Sequence, residues 1–166
     1  MKRMENLRAS LEDWIYNFLS IQNPTFNNLP PCPYAKRAWT EGKVLVKEIK
    51  DPVDYNLRVE LSNYAFQWPE KDVVIFGFNP NKISAHELTE LVENVQRKVL
   101  NNWGLIALED HPGEVEEIDT VVLNNGEHGL VLLQERSKLE EARKHLDSLG
   151  YYKYWPEDYK KDVQSR

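Results

Sequence analysis

The sequence predicts an α/β fold: a single domain with a mixed sheet of about five strands, helices packed on that sheet, and an extra N-terminal helix. Apolar runs of strand length alternate along the chain with amphipathic helical stripes. The order strand, helix, strand, helix, strand favours parallel pairing through right-handed crossovers. Two later apolar runs flank Asn125-Gly126, a pair typical of an antiparallel hairpin. The domain should span residues 1–150, followed by an aromatic-rich C-terminal tail over residues 151–166.

The first two helices are predicted from apolar spacing and from a proline. Over residues 5–19 the apolar positions recur with helical periodicity, and they are Leu7, Leu11, Trp14, Ile15 and Phe18. This helix should dock on the core. A second helix should begin at Asp51-Pro52, where an N-cap residue precedes a proline at the first helical position.

Two later helices are predicted from capping boxes, in which a serine and a glutamate three residues apart satisfy each other's backbone groups. These pairs are Ser84 with Glu87 and Ser137 with Glu140. The helix after Ser84 has the longest apolar stripe in the chain and should end at Gly104, where a C-cap glycine is expected.

Five apolar runs predict the strands, and they are KVLVKEI, DVVIFGF, GLIALE, TVVL and GLVLLQ. DVVIFGF is continuously apolar, as is typical of a strand buried on both faces. TVVL and GLVLLQ lie on either side of Asn125-Gly126, so the sequence predicts that they pair as a hairpin.

Composition limits the classes of protein to which the chain can belong. It has 166 residues, a formal net charge of −6, and basic residues interspersed with acidic ones, which argues against broad nucleic-acid binding. No apolar run approaches the roughly 18 residues that span a bilayer, so no membrane association is expected. The N-terminus lacks the apolar stretch of a signal peptide and a single cysteine forbids an internal disulfide, which together predict a cytoplasmic protein.

The only cysteine, Cys32, lies in the segment LPPCPYAKRAW and has two interpretations. If a short helix begins at Pro33, Cys32 becomes its N-cap, and the helix dipole together with Lys36 and Arg37 would favour the thiolate. Such a cysteine could act as a nucleophile or a metal ligand. Alternatively, Cys32 fills a gap beneath the proline-rich loop as a small apolar side chain.

A second candidate group lies at the end of a predicted strand, in EDHPGEVEEID. His111 stands where loops converge above an α/β sheet, and Asp110 precedes it. Together with His128 from the following turn and Cys32, these residues predict a site for a transition-metal ion, the one cofactor that the sequence suggests. The alternative is a solvated acidic loop with two surface histidines.

The tail GYYKYWPEDYKKDVQSR is dense in aromatic residues, including Trp155. Tyrosine and tryptophan are enriched at interfaces, so the tail could form a strip that binds a protein partner. The alternative is that it docks on the chain's own domain.

The order of motifs resembles a family of small uncharacterised bacterial proteins, a domain of unknown function marked by Cys-Pro-Phe-Ala and a later His-Pro. The matching residues are Trp14, Cys32, Pro33, Tyr34, Ala35, Lys36, His111, Pro112 and Leu132-Leu133-Gln134-Glu135. This chain has Asn124, Asn125, Gly126 and Glu127 where the family has an aromatic residue and Asn-Arg-Ser-Pro. The resemblance implies no established reaction.

Cys-Pro-Tyr also resembles, more weakly, the start of the glutaredoxin motif, with Ala35 in place of the second cysteine. A one-thiol protein of that kind would form mixed disulfides with glutathione. The motif follows a proline-rich loop here, whereas in glutaredoxins it follows a buried strand.

Two hypotheses for function follow. In the first, the chain is an enzyme or metal-binding protein whose site joins Cys32 as nucleophile or ligand with His111 as base or ligand, while Lys36 or Arg37 orients an anionic small-molecule substrate. In the second, it is a noncatalytic interaction module that presents its aromatic tail to a protein partner.

Overall fold

The structure is a computed structural model that describes residues 2–166, with side chains from residue 6 onward. It is an α/β fold, as the sequence predicts. The main sheet has four strands in the order β1 (Val44–Glu48), β2 (Val73–Phe78), β6 (Gly129–Glu135) and β3 (Leu105–Asp110). A second sheet pairs β4 (Glu117–Ile118) with β5 (Val121–Val122).

The α-helices of the described chain are α1 (Lys2–Trp14), α2 (Ala35–Thr40), α3 (Val53–Phe66), α4 (Ala85–Lys98), α5 (Arg136–Ser148) and α6 (Glu157–Gln164). A π-helical turn over Ile15–Leu19 follows α1 directly. Short 3₁₀ turns cover Pro24–Phe26, Pro80–Lys82 and Leu100–Trp103. No helix within residues 2–166 is both long enough and apolar enough to cross a bilayer.

The strand pairing confirms one crossover and corrects the rest of the predicted topology. β1 and β2 are parallel and are joined through α3, as predicted. The predicted hairpin is wrong, because β5 pairs with β4 and β6 inserts between β2 and β3, antiparallel to both. β6 is apolar on both faces, so a central place in the sheet buries more of its surface than a place beside β5 would.

Helices cover both faces of the sheet. On one face, α3 and α4 bury Leu57 and Leu88 against Val74 and Phe76 of β2. On the other face, α1 buries its predicted stripe, and the core there consists of Leu7, Leu11, Val46, Ile75 and Leu130. The extra N-terminal helix therefore docks on the sheet, as its periodicity indicates.

The aromatic tail forms a core of its own with earlier parts of the chain. Tyr151, Tyr152 and Trp155 are buried against Phe26 and Ile118. The rings of Phe26 and Trp155 meet edge to face at a centroid distance of 5.8 Å. Residues 151–166 thus pack on the domain, which corresponds to the docked alternative for the tail.

The helix ends confirm one capping box and contradict the other. The Ser84 hydroxyl accepts from the Glu87 N–H at 3.1 Å, as a capping box requires. The predicted box at Ser137 is wrong, because α5 begins at Arg136 directly after β6, with Glu135 as an N-cap residue whose side chain makes no capping bond. Pro52, and not Asp51, is the N-cap of α3.

Candidate functional site

A crevice of about 570 Å³ opens at one edge of the main sheet. The carboxyl ends of the parallel strands β1 and β2 meet there, and the chain enters β6 at the same edge because β6 runs antiparallel to β2. Crevices above the carboxyl ends of parallel strands are the usual binding sites of α/β sheets. Polar side chains from the end of β1 and from three loops line it, among them Glu48, Lys50, Asp51, Asn79, Lys82 and His128.

The apolar part of the crevice depends on two glycines. At Gly77 a Cβ atom would lie 2.5 Å from Cδ1 of Leu7, so the missing side chain lets α1 approach β2. At Gly129 a Cβ atom would overlap the ring of Phe78, which is almost fully buried. Leu7, Gly77 and Phe78 all line the crevice, so these close approaches shape its wall.

His128 is a half-buried titratable residue of the crevice lining. Its side chain is 15% exposed, and its Nε2 atom is buried without a hydrogen-bond partner among the described residues. The nearest carboxylate oxygen, Oε2 of Glu127, lies 4.0 Å from Nε2, beyond hydrogen-bond distance. A buried polar atom without a partner is uncommon and costs stability, so a hydrogen bond to Nε2 would be stabilising once the ring turns to bring this atom to the crevice surface.

The loop that carries His128 is tied to the end of β3 by a polar network. The Asn125 Oδ1 atom accepts from the backbone N–H groups of Glu127 at 3.2 Å and of His128 at 3.1 Å. The N–H of Asn125 in turn donates to Asp110 Oδ2 at 3.0 Å, and the Asn124 amide donates to Asp110 Oδ1 at 2.6 Å. Asp110 therefore positions the loop that leads to His128.

Burial raises the pKa of Asp110, and the hydrogen bonds from Asn125 and Asn124 oppose this effect. The carboxylate accepts bonds on both oxygens and serves as an anchor for the loop. The predicted role of Asp110 as a metal ligand finds no support in this arrangement, because its oxygens already bind Asn124 and Asn125.

Charges of both signs surround the mouth of the crevice. Lys82 Nζ lies 3.4 Å from Asp51 Oδ2, which joins the loop after β1 to the loop after β2. Glu48, Lys50 and Glu127 also line the crevice. The lining thus offers positively charged hydrogen-bond donors and negatively charged acceptors. Such a lining fits a polar ligand better than a purely apolar one.

The structure places His111 in a structural role and not in the crevice. Its Nε2 lies 2.8 Å from the Ile83 carbonyl and 3.1 Å from the Pro80 carbonyl, and its Nδ1 accepts from the Gly113 N–H at 2.9 Å. A neutral ring with its proton on Nε2 satisfies all three contacts, a tautomer assigned from these partners. Both ring nitrogens are engaged, so neither is free to act as a base or a metal ligand.

Cys32 lacks the environment that the thiolate hypothesis requires. The helix expected to start at Pro33 begins at Ala35, with Tyr34 as its N-cap residue. Burial raises the pKa of the thiol, and the backbone N–H groups of Tyr34 and Ala35 only partly offset this effect. At neutral pH the sulfur is therefore a thiol, which corresponds to the structural interpretation of this residue.

Lys36 is exposed on α2 and points toward an aromatic ring. Its Nζ lies 5.2 Å from the centroid of the Tyr16 ring, a cation–π contact with the π-helical turn. The hydrogen-bond partners of Cys32 and His111 share no residue, so no hydrogen bond among the described residues links the predicted group of Cys32, His111 and Lys36.

Within residues 2–166, no group of three or more histidine, cysteine, aspartate or glutamate side chains is arranged to hold a metal ion. The predicted ligand set of Cys32, His111, His128 and Asp110 therefore does not come together as a metal centre. Of these four residues, only His128 lines the crevice.

The sequence reasoning missed most of the crevice, although a signal for it was present. Glu48 ends β1 and Asn79 directly follows β2, the two strands whose parallel pairing was predicted, and sites collect at such strand ends. Cys32 and His111, which the local motifs indicate, do not line the crevice.

Comparisons of the chain with family models, with curated proteins and with solved structures found no match. The resemblances to the Cys-Pro-Phe-Ala family and to the glutaredoxin motif therefore stay predictions. What the fold and the crevice define is an α/β protein with a polar cleft above the carboxyl edge of its parallel strands.

Proposed function

We propose that the protein binds a small polar organic molecule in the crevice and that His128 forms the central hydrogen bond to it. The observation that carries this proposal is the buried, unpartnered Nε2 atom of His128 in the lining of a cleft of about 570 Å³. Ligand pockets span roughly 300–1,000 Å³ and combine apolar walls with a few polar groups. Leu7 and Phe78 supply the apolar wall, and Asn79 and Lys82 supply further polar contacts.

His128 Nε2 lacks a hydrogen bond that a ligand can supply. A buried polar atom without a partner costs about 1–3 kcal/mol, and a ligand atom that bonds to it removes that cost. The Asp110 and Asn125 network fixes the backbone of the loop before β6, so the rearrangement that ligand binding requires is a turn of the His128 ring that brings its buried Nε2 atom to the crevice surface. A site prepared in this way binds with a smaller loss of conformational entropy.

Proton-transfer catalysis is a second candidate function, and the position of Glu127 favours it. The Glu127 carboxylate lies 4.0 Å from the His128 ring and could stabilise an imidazolium that forms when the histidine accepts a proton. In this version His128 is the general base, and the substrate lies along Asn79 and Lys82.

The two hypotheses drawn from the sequence, a Cys32 and His111 site and an aromatic tail that binds a partner, lack a comparable structural observation. The Cys32 thiol and His111 lie in separate environments, and His111 has no free nitrogen. In the described part of the tail, Tyr154 is the only aromatic residue with more than half of its surface exposed, whereas Trp155 is buried. The aromatic strip that a partner would recognise is therefore largely used within the chain.

The proposal can be tested by NMR with a set of small probe compounds: monocarboxylic acids, primary amines and simple sugars. Binding should shift the amide signals of Lys50, Gly77 and Asn79. A His128→Leu variant, which has no ring nitrogen, should lose the binding, and His128→Gln should recover part of it, because its side-chain amide offers polar atoms at a similar distance from the backbone.

The matched control is His86→Gln on α4, because His86 is exposed and does not line the crevice. This variant should bind the probes as the unaltered protein does. The proposal fails if no probe shifts these signals, or if His128→Leu binds the probes with unchanged affinity.

A further inference from the structure

Two polar side chains of the crevice are less exposed than the rest of its polar lining. Among the described residues that line the crevice, Glu48 and His128 are half-buried. The other polar residues of the lining are exposed, namely Asn6, Lys50, Asp51, Asn79, Lys82 and Glu127. A ligand in the inner part of the crevice therefore contacts one carboxylate and one imidazole ring, whereas the lysines lie at the mouth.

Glu48 and His128 lie on either side of a glycine of the central strand β2. Side chains alternate along a strand, so Glu48 shares the face of Val46, which is buried in the core beneath α1. The register places Glu48 beside Gly77 of β2, and β6 is the next strand. Adjacent strands are about 4.8 Å apart, so β1 and the start of β6 are separated by roughly 10 Å. A small molecule that lies over Gly77 can therefore contact both side chains.

The enclosed charge of the crevice is negative and lacks a counter-charge. The Glu48 carboxylate forms no ion pair with a lysine, arginine or histidine among residues 6–166. The lining carries three carboxylates and two lysines, and one of these lysines, Lys82, is already paired with Asp51 at 3.4 Å. The other lysine, Lys50, is exposed to water. A cation bound at Glu48 supplies the missing charge, and the attraction is stronger there than at the open mouth because less water surrounds it.

We propose that the ligand of the crevice is a small primary amine whose ammonium group binds Glu48 and whose other end carries a polar group that bonds to His128. This assignment rests on the proposed function and names its ligand class. The carbon chain between the two polar ends lies over Gly77, where no side chain obstructs it. Glu48 thereby selects the charge of the ligand, because an anion of the same length is repelled by the carboxylate and leaves it without a counter-charge.

The first test compares three probes with the same five-carbon chain and a different charge at one end: aminopentanol, pentanediol and hydroxypentanoate, each with its polar groups at opposite ends. NMR titration of the full chain, followed at the amides of Lys50, Gly77 and Asn79, gives the three dissociation constants. Aminopentanol should bind roughly fivefold or more tightly than pentanediol, and hydroxypentanoate should bind most weakly. Added sodium chloride should weaken the binding of aminopentanol and leave that of pentanediol unchanged.

The second test removes the charge of Glu48 and keeps the size of its side chain. Glu48→Gln should bind aminopentanol no more tightly than pentanediol, and its affinity for pentanediol should stay unchanged. Glu70→Gln is the matched control, because Glu70 is an exposed carboxylate outside the crevice lining. This variant should keep the full preference for aminopentanol.

The outcomes separate this assignment from the proposed function. If pentanediol or hydroxypentanoate binds as tightly as aminopentanol and loses its binding in His128→Leu, the amine assignment is overturned and the proposed function stands. If the preference for aminopentanol persists in Glu48→Gln, the ammonium group binds elsewhere and the role of Glu48 is overturned. If none of the three probes binds, both the proposed function and the amine assignment are wrong.

Discussion

Leu7 of α1 lies directly over Gly77 of β2, so closely that a Cβ atom at position 77 would come within 2.5 Å of the Leu7 Cδ1 atom. The contact joins the N-terminal helix to the strand that ends at the crevice. It also explains a glycine inside a buried strand, where the missing side chain normally weakens packing. The position of α1, and with it one wall of the crevice, depends on this contact.

Gly77→Val should therefore lower the free energy of unfolding by about 1–3 kcal/mol, the usual cost of overpacking a core. Gly77→Ala should cost less, because the atoms it meets are the ends of a flexible leucine side chain. Urea denaturation measures both values.

A double-mutant cycle with Leu7→Ala tests whether the loss of stability in Gly77→Val comes from the clash with Leu7 or from another disturbance of β2. If the clash with Leu7 is the cause, the combined Leu7→Ala and Gly77→Val changes should cost clearly less than the sum of the single changes. Additive costs would show that the valine disturbs β2 for another reason.

His111 should contribute to stability through the loop that it holds. His111→Ala removes the donor to Pro80 and Ile83 and the acceptor for Gly113, so we expect a loss of about 2–4 kcal/mol in the free energy of unfolding. His111→Gln should recover part of this loss, because the glutamine amide can donate near the position of Nε2. Hydrogen exchange should become faster over residues 79–84, which include the crevice residues Asn79 and Lys82.

The exposed His86 provides the comparison for that measurement. His86→Ala should change the free energy of unfolding by only a few tenths of a kcal/mol, since its contact with Glu90 is a surface pair. If His111→Ala were as mild as His86→Ala, the anchoring role of His111 would be wrong.

Cys32 should react slowly with alkylating reagents in the folded protein. Burial raises the pKa of its thiol above the ordinary value of 9.0, so little thiolate exists at neutral pH. The rate of iodoacetamide modification at neutral pH should increase strongly when the chain is unfolded in urea. A Cys32→Ser, Thr40→Cys variant supplies an exposed thiol on α2 for comparison and should react much faster than Cys32. Fast modification of native Cys32 would restore the hypothesis of a reactive thiol.

The sequence predicted the elements whose signals are local. The stripe of Leu7 and Leu11 predicted α1, and the Ser84 capping box predicted the start of α4, because both signals lie within a few turns of one helix. The insertion of β6 between β2 and β3 was missed. Strand order is decided by contacts across the whole chain, and the Asn125-Gly126 turn signal does not specify which strands pair.

The site was predicted less well for the same reason. Cys32 and His111 stand in recognisable local motifs, but their chemistry depends on burial and on distant partners such as the Ile83 carbonyl. The residues around His128 come from loops far apart in sequence, and they meet only because the strand ends coincide. No local pattern marks such a group.

The acidic cluster near the end of β3 should make the stability of the protein depend on pH. Burial raises the pKa of Glu109 and Glu116 above their ordinary value of 4.5, and it is opposed by smaller contributions, first from the backbone N–H of Glu109 for Glu109 and from the Tyr159 hydroxyl for Glu116. A carboxyl group with a raised pKa in the folded state binds its proton more tightly there than in the unfolded chain. Its stabilising contribution is complete below pH 4.5 and is lost as the pH rises through the folded-state pKa.

A Glu109→Gln, Glu116→Gln variant cannot lose these protons, yet its amides can keep the contacts with Thr89 and Tyr159. Urea unfolding from about pH 4 to about pH 8 gives the free energy of unfolding of the unaltered protein and of the variant at each pH. Ionisable groups that both proteins share contribute equally to the two values, so their contributions cancel in the difference. The unaltered protein should lose stability relative to the variant as the pH rises. The prediction is wrong if the difference in the free energy of unfolding stays constant with pH, or if it changes in favour of the unaltered protein. The two carboxyl groups would then ionise at their ordinary pKa or below it, as they do on an open acidic surface.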